Sequence, residues 1–138
     1  MPVGYEFIEH TADYAIRATG RDFPELLANA AAGLIALMAD TSGLLPTDHR
    51  IARAEGEDRE HVLARSLKQV LRCVEDGQLP LSATVLAADG SGASLRVDTT
   101  PLSPVADRVL AVVKAVTYHA LQIAEVPDGL SVEVVFDT

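Results

Sequence analysis

Two segments of this 138-residue chain carry apolar residues at helical spacing, and they constrain the fold more than any other feature. The first predicts a helix that begins at Asp22, where Asp22 and Glu25 have capping-box spacing, and ends within 40–43. The second predicts a helix over 59–76, capped by Asp58 and ended by Gly77. The two apolar stripes consist of Leu26, Leu27, Ala30, Leu34, Leu37 and Met38, and of Val62, Leu63, Leu67, Val70, Leu71 and Val74.

The rest of the chain is strand-like and is divided by turn signals at 89–92 and 127–129. Strands are predicted at 3–9, 13–19, 50–55, 81–87, 93–99, 111–124 and 130–137. Because strands outnumber helices and do not alternate regularly with them, an α+β fold is favoured over a doubly wound sheet. We expect a single domain over 1–138, a sandwich of mostly antiparallel strands with two amphipathic helices.

Charge and cysteine content narrow the functional classes. The net charge is −9, with 11 Lys and Arg against 20 acidic residues. This balance argues against strong direct nucleic-acid binding and suits a cation or a basic protein partner, although it could also serve solubility alone. Cys73 is alone, which excludes an intramolecular disulfide and predicts an inert, partly buried thiol. We see no signal peptide or membrane span and expect a cytoplasmic protein.

Polar residues lie at the ends of predicted strands in the segments 9–13 and 114–119. His10 and Asp13 flank a turn, where such residues either hydrogen-bond the local backbone or bind a ligand. Strand alternation places Lys114 on one face with Val116 and Tyr118. It places Thr117 and His119 on the other face, where they could meet a common ligand or form a polar ladder.

The third such segment, 134–138, ends with an acidic residue beside the last one. Asp137 and the α-carboxylate of Thr138 are two anions adjacent in sequence, which repel each other unless a cation or hydrogen-bond donors intervene. Hard cations such as Ca²⁺ and Mg²⁺ prefer oxygen ligands, and Mn²⁺ also accepts them. The alternative is a frayed, solvated terminus.

In their order and spacing, the segments 5–13, 114–119 and 134–137 resemble the signature blocks of the archease family. The first helix, with Glu25-Leu26 and the segment 30–34, is also similar to the family pattern. The similarity is weaker over 44–108, where Arg65 and Ser66 replace a small apolar residue and an aromatic one. Tyr14 and Thr138 stand where the family usually has aliphatic residues.

The resemblance implies a function that composition does not reveal. Archeases are protein cofactors of the RtcB-type RNA ligase, which joins 2′,3′-cyclic-phosphate or 3′-phosphate RNA ends to 5′-hydroxyl ends in tRNA splicing and RNA repair. They promote guanylylation of the ligase's active-site histidine, which uses GTP and a divalent metal, and so support multiple turnover. The resemblance therefore implies an activator with no catalytic residues of its own.

The resemblance also implies a site for a divalent metal ion, with Ca²⁺ preferred and Mg²⁺ or Mn²⁺ as alternatives. Its ligands would be Asp13, Asp137 and the carboxylate of Thr138. Supporting or partner-facing roles would fall to residues that match other signature positions, namely His10, Lys114 and His119.

Two other classes of function stay open. A small metal-dependent hydrolase could use Asp13, Asp137 and His119, but the sequence lacks a recognisable nucleophile motif or a cluster of metal-activating histidines. A chaperone-like adaptor would need an exposed apolar patch, whereas both helical stripes are expected to be used in packing against the sheet.

Overall fold

A computed structural model describes residues 4–8, 14–118 and 120–138. In these residues the chain forms two α-helices, eight β-strands and one short 3₁₀ helix. Their order is β1 (Tyr5–Ile8), β2 (Tyr14–Gly20), α1 (Phe23–Met38), β3 (Asp48–Glu55), α2 (Arg59–Glu75), β4 (Gln78–Ala88), β5 (Gly92–Pro101), the 3₁₀ helix (Ser103–Arg108), β6 (Ala115–Val116), β7 (Ala124–Val126) and β8 (Gly129–Asp137). No helix in this part of the chain is long and apolar enough to cross a bilayer.

The strands form two antiparallel sheets. In the first, the order is β1-β2-β8-β6, and β7 also pairs with β8. In the second, the order is β3-β5-β4, so β5 lies at the centre and pairs with β3, the strand before α2, on one side and with β4 on the other. The mixed α+β class and the antiparallel pairing predicted from the sequence are confirmed.

The two helices form a layer between the sheets. Helix α1 contacts β1, β2 and β8 of the first sheet and β4 of the second, while α2 contacts all three strands of the second sheet and β6 of the first. One buried cluster joins both sheets to both helices, and it includes Ile16, Phe136, Leu34, Leu67 and Val97. Burial of this apolar surface is the main force that holds the layers together.

The first helix begins nearly as predicted. Asp22 caps it, because its Oδ1 accepts a hydrogen bond from the Glu25 N–H at 2.9 Å. The reciprocal half of the capping box is shifted, since the Glu25 carboxylate accepts from the N–H of Arg21 at 3.2 Å and not from that of Asp22. Pro24 lies in the first turn, where it removes no helical hydrogen bond. The helix ends at Met38, just before the predicted stop at 40–43.

The second helix has its predicted ends, and its cysteine is more deeply buried than predicted. Asp58 Oδ1 accepts from the His61 N–H at 2.8 Å. Gly77 follows the helix with φ of +78°, a left-handed conformation that glycine adopts without steric cost. Cys73 is fully buried in the core, and burial raises the pKa of its thiol, as expected for an inert side chain.

One strand prediction is wrong. The sequence predicts a single strand over 111–124, but the structure has the two-residue β6 and the three-residue β7 with a turn between them. In this turn the Leu121 N–H donates to the Tyr118 carbonyl at 3.2 Å, and Ala120 has a φ of +53°. Alternation in the sequence indicates an extended backbone but not whether a neighbouring strand is there to pair with it. Val116 is accordingly buried, whereas Lys114 and Tyr118 are exposed.

Candidate functional site

The candidate site lies at the end of β8, which runs between β2 and β6. Phe136 pairs with Tyr14 on one side and with Val116 on the other. Its side chain is fully buried and belongs to the core cluster. This packing fixes the strand one residue before Asp137, so the acidic residue is attached to a rigid part of the fold.

The backbone brings two of the sequence-predicted residues together. The N–H of Lys114 donates to the carbonyl of Asp137 at 2.8 Å, and Ala115 pairs with Asp137 in the antiparallel register. The N–H of Thr117 donates to the carbonyl of Val135 at 2.9 Å. Asp137 and Thr138 are both exposed, so the Asp137 carboxylate is open to solvent or to a partner.

Only part of the predicted metal site lies in the described residues. Asp13, His10 and His119 lie outside the described residues, and their roles stay predictions. In the ranges 4–8, 14–118 and 120–138, no three His, Cys, Asp or Glu side chains lie close enough to hold a metal ion. Among the predicted donors that are described, Asp137 is an exposed carboxylate, and its chemistry fits a hard cation such as Ca²⁺ or Mg²⁺. The metal site therefore stays a prediction.

Sequence reasoning missed the contacts made by Tyr118. Its hydroxyl lies 3.3 Å from Lys68 Nζ, and the same ammonium lies 4.8 Å from the centroid of its ring. The ring of His61 lies 5.6 Å away, centroid to centroid, at a tilt of 39°. The seven-residue spacing of His61 and Lys68 does place both on one helix face. No sequence signal says that Tyr118, 50 residues after Lys68, covers that face.

Acidic groups surround the other side of His61. Its Nδ1 lies 2.7 Å from Asp58 Oδ1, and its Nε2 lies 3.7 Å from Glu57 Oε2. Hydrogen bonding to the backbone N–H of His61, and then to its ring, lowers the pKa of Asp58. The outer edge of α2 thus presents carboxylates at its start and the Lys68 ammonium two turns later. This arrangement can hold an amphipathic ring such as that of Tyr118.

Among the hollows elsewhere on the described part of the molecule, two lie beside the helices. At the other end of β8, an open cleft of about 710 Å³ is lined by Thr19, Gly20, Arg21, Glu25, Val126, Asp128 and Leu130. Arg21 and Glu25 form an ion pair there at 2.9 Å, so their charges satisfy each other. A smaller, apolar cavity of about 160 Å³ lies at the ends of both helices, lined by Met38, Val74, Leu79, Leu102, Val109, Ala111, Val112 and Val113.

The chain is similar to proteins of known family over nearly its whole length. Residues 5–138 match the model of the archease protein family (MTH1598/TM1083). A protein archease of Sulfurisphaera tokodaii is 33% identical over 121 residues, which are 86% of this chain and 87% of that protein. A protein archease of Saccharolobus islandicus (strain M.14.25) is 31% identical over 135 residues, with 96% and 97% covered.

Solved structures show the same fold. The solution structure of Methanobacterium thermoautotrophicum protein 1598 has a TM-score of 0.79 and 25% identity, and the match covers 99% of this chain and 100% of that one. The 2.0 Å crystal structure of a Thermotoga maritima archease, described as a possible chaperone, has a TM-score of 0.63 and 25% identity, with 95% and 94% covered. The family model, the relatives and the shared fold agree, and this chain belongs to the archease family.

Proposed function

We propose that this chain is a protein cofactor, not itself an enzyme, that activates an RtcB-type RNA ligase in tRNA splicing and RNA repair. It promotes GTP-dependent guanylylation of the ligase and thereby multiple turnover. The observation that carries the proposal is the family match over residues 5–138, which includes every signature segment from which the resemblance was first drawn. The proposal keeps the cytoplasmic location predicted from the sequence.

The acidic tip is the part of the molecule that we assign to this activity. Asp13, Asp137 and the carboxylate of Thr138 would hold a divalent cation, Ca²⁺ in preference to Mg²⁺ or Mn²⁺. What supports this assignment is the exposure of Asp137 and Thr138 directly after the buried Phe136. The cation would neutralise neighbouring carboxylates and add positive charge at the tip. Lys114, whose backbone is hydrogen-bonded to Asp137, would face the partner, as would His10 and His119.

The charge of the whole chain fits docking at a basic groove. A net charge of −9 would be attracted to the positively charged surface that a ligase needs for RNA. The same charge disfavours RNA binding by this protein alone, because phosphate binding needs clustered Lys and Arg. We therefore expect the two proteins to associate more weakly as the salt concentration rises.

The decisive experiment measures guanylylation and multiple-turnover RNA joining by an RtcB-type ligase from the same source, with and without this protein. Asp137→Ala and Asp13→Ala should each reduce stimulation at least about tenfold, since even outer-shell metal partners are worth that much. Glu125→Ala is a matched control, because Glu125 is an exposed acid on β7 of the same sheet. The melting temperature of Asp137→Ala should equal that of the parent, because the residue is exposed.

Several outcomes would contradict the proposal. If the parent protein fails to stimulate an otherwise active ligase, the function is wrong. If Asp137→Ala and Asp13→Ala stimulate as well as the parent, the activity is right but the site is wrong. Residues appended after Thr138 should also reduce stimulation, because they remove its carboxylate. Full activity of the extended protein would exclude that carboxylate as a ligand.

A specific observation supports a chaperone-like adaptor as the second candidate. Leu110 and Val112 are 65% and 68% exposed beside the apolar cavity at the helix ends, which is the kind of patch that an adaptor requires. The adaptor function needs no ligase and no acidic tip. It would be favoured if Asp137→Ala and the parent suppressed aggregation of a heat-unfolded client equally while neither stimulated the ligase.

A further inference from the structure

The described residues between β6 and β7 contact helix α2 at two points, in addition to the backbone hydrogen bond from Thr117 to β8. We call residues 117, 118 and 120–123 the tyrosine turn. At its end, the N–H of Ile123 donates to Glu60 Oε2 at 2.9 Å, and the Ile123 side chain is buried in the core. A hydrogen bond from a partly buried backbone N–H to a carboxylate is strong, because it is charge-assisted. Glu60 therefore holds the end of the turn.

A second attachment lies at the start of the turn. Lys68 Nζ contacts the Tyr118 hydroxyl at 3.3 Å and lies above its ring, and His61 packs its own ring against the tyrosine. Glu60 and Lys68 are eight residues apart, or about 12 Å along the helix axis. Helix α2 thus holds the tyrosine turn at two separated points.

The backbone inside the turn is strained. Ala120 has a φ of +53°, in the left-handed region that residues with a Cβ rarely adopt. Such a conformation persists only where contacts with the surrounding structure hold it in place, and strained residues cluster at functional sites. The contacts made by Glu60 and Lys68 on either side of Ala120 are surroundings of this kind.

The turn is also connected directly to the acidic tip. Thr117, its first residue, donates its N–H to Val135, two residues before Asp137. Tyr118 is 43% exposed, so part of its ring is free for a partner. Tyrosine is common in protein interfaces because it combines a large apolar ring with a polar hydroxyl. The turn therefore carries an interface-type side chain one residue after the backbone hydrogen bond to β8, the strand that ends in the proposed ligase-activating site.

We propose that Glu60 and Lys68 are positioning residues, which hold the tyrosine turn on α2 so that Tyr118 contacts the ligase beside the acidic tip. This inference rests on the proposed function. Residues with a purely structural role would make the same contacts. In addition, the negative charge of Glu60 in the first turn of α2 interacts favourably with the helix dipole. The test must therefore separate the position of the turn from the stability of the helix.

The test compares two pairs of variants. Glu60→Met removes the acceptor for the Ile123 N–H, while Glu60→Gln keeps an oxygen in place. Lys68→Met removes the cation above Tyr118, while Lys68→Arg keeps it. Arg72→Met is the control, because Arg72 is exposed one turn further along α2. Hydrogen exchange at the Ile123 amide and titration of the ligase with each variant are the two measurements.

We expect the methionine variants to need roughly three- to tenfold more protein for half-maximal ligase stimulation, with the maximum unchanged, as for loss of one hydrogen bond. The Ile123 amide should exchange faster by a similar factor in Glu60→Met. Glu60→Gln, Lys68→Arg and Arg72→Met should behave like the parent. Melting temperatures identify any variant that has merely lost stability. The variants at Glu60 and those at Lys68 test the position of the turn independently.

Three results would overturn the inference. Methionine variants that stimulate like the parent would show that the turn need not be held, while the proposed function survives. An equal loss in Arg72→Met would assign the effect to the charge of α2 and not to the turn. A parent protein that does not stimulate the ligase would refute the proposed function and with it the role of Tyr118, whatever the exchange rate of Ile123.

Discussion

The two helices lie in the same layer, yet they differ in how much of their surface is buried and how much is exposed. Within α1, all of whose residues are described, Ala32 is the one exposed residue. Helix α2 leaves Lys68, Arg72 and Glu75 exposed. The cause is location, because α1 contacts three strands of the first sheet and β4 of the second, whereas α2 contacts the first sheet chiefly at the two-residue β6. Helix α1 is therefore used mostly for the core, and α2 also presents a surface, on which Lys68 contacts the tyrosine turn.

Small residues let α1 approach the first sheet closely. A Cβ added at Gly33 would lie 2.9 Å from Ile16 Cδ1 and 3.0 Å from Tyr5 Cγ, which is closer than side chains normally pack. Ala30 and Ala31 are also fully buried. The alanine-rich composition of this segment thus follows from its position between two sheets, where larger side chains would separate the layers.

The largest effect that tests this comparison comes from the core side of α1. Leu34 is fully buried in the central cluster, so Leu34→Ala should lower the free energy of unfolding by about 2–5 kcal/mol. Arg72→Ala on the exposed side of α2 should change it by less than about 0.5 kcal/mol. Urea denaturation measures both. Similar values for the two variants would mean that α1 is not packed on both sides.

A smaller effect of opposite sign is expected on the buried side of α2. Ser66 is fully buried, and its Oγ has no hydrogen-bond partner within the described part of the chain. An unsatisfied buried hydroxyl is costly, and alanine is the better helix former. Ser66→Ala should therefore raise the free energy of unfolding by about 1 kcal/mol.

Ser82→Ala is the matched control for this prediction. Ser82 is exposed on β4 and donates its hydroxyl to Asp98 at 3.3 Å, so its removal should not stabilise the protein. A lower stability of Ser66→Ala than of the parent, in the same urea titration, would mean that the hydroxyl has a partner after all.

The smallest effect concerns the cap of α2. Because the folded pKa of Asp58 is lowered by His61, its contribution to stability is present above the unfolded pKa of about 3.9 and is lost as pH falls through the folded value. Asp58→Asn keeps a capping oxygen that does not titrate. From pH 6 to pH 2.5, the melting temperature of the parent should fall slightly more than that of Asp58→Asn. Parallel curves would exclude this carboxylate as a source of acid sensitivity.

Local features of the fold were predictable from the sequence because they depend on neighbouring residues. The helix caps at Asp22 and Asp58 and the turn at 89–92 are examples, and Asp89 accepts hydrogen bonds from Ser91 and Gly92 in that turn as its position suggests. The predicted strand at 81–87 was short, since β4 begins at Gln78 and includes Pro80. An edge strand tolerates proline, because its N–H need not enter the ladder.

The candidate site was predictable only in part. Family resemblance identified Asp137 and Lys114, and the structure joins their backbones through one hydrogen bond. It did not identify Lys68 or Glu60, because each meets its partner across 50 or more residues of chain. Their partners follow from how α2 packs beside β6 and not from any local pattern.

By itself, the sequence determined which segments are helical, where they begin and end, which residues are apolar enough for the core, and to which family the chain is similar. These properties depend on spacing and on interactions over a few residues. Only the tertiary structure decided that 111–124 divides into β6, the tyrosine turn and β7, that α1 is enclosed by two sheets, and that α2 holds Tyr118. Those outcomes depend on contacts between distant segments, whose free energy exists only once the layers have packed together.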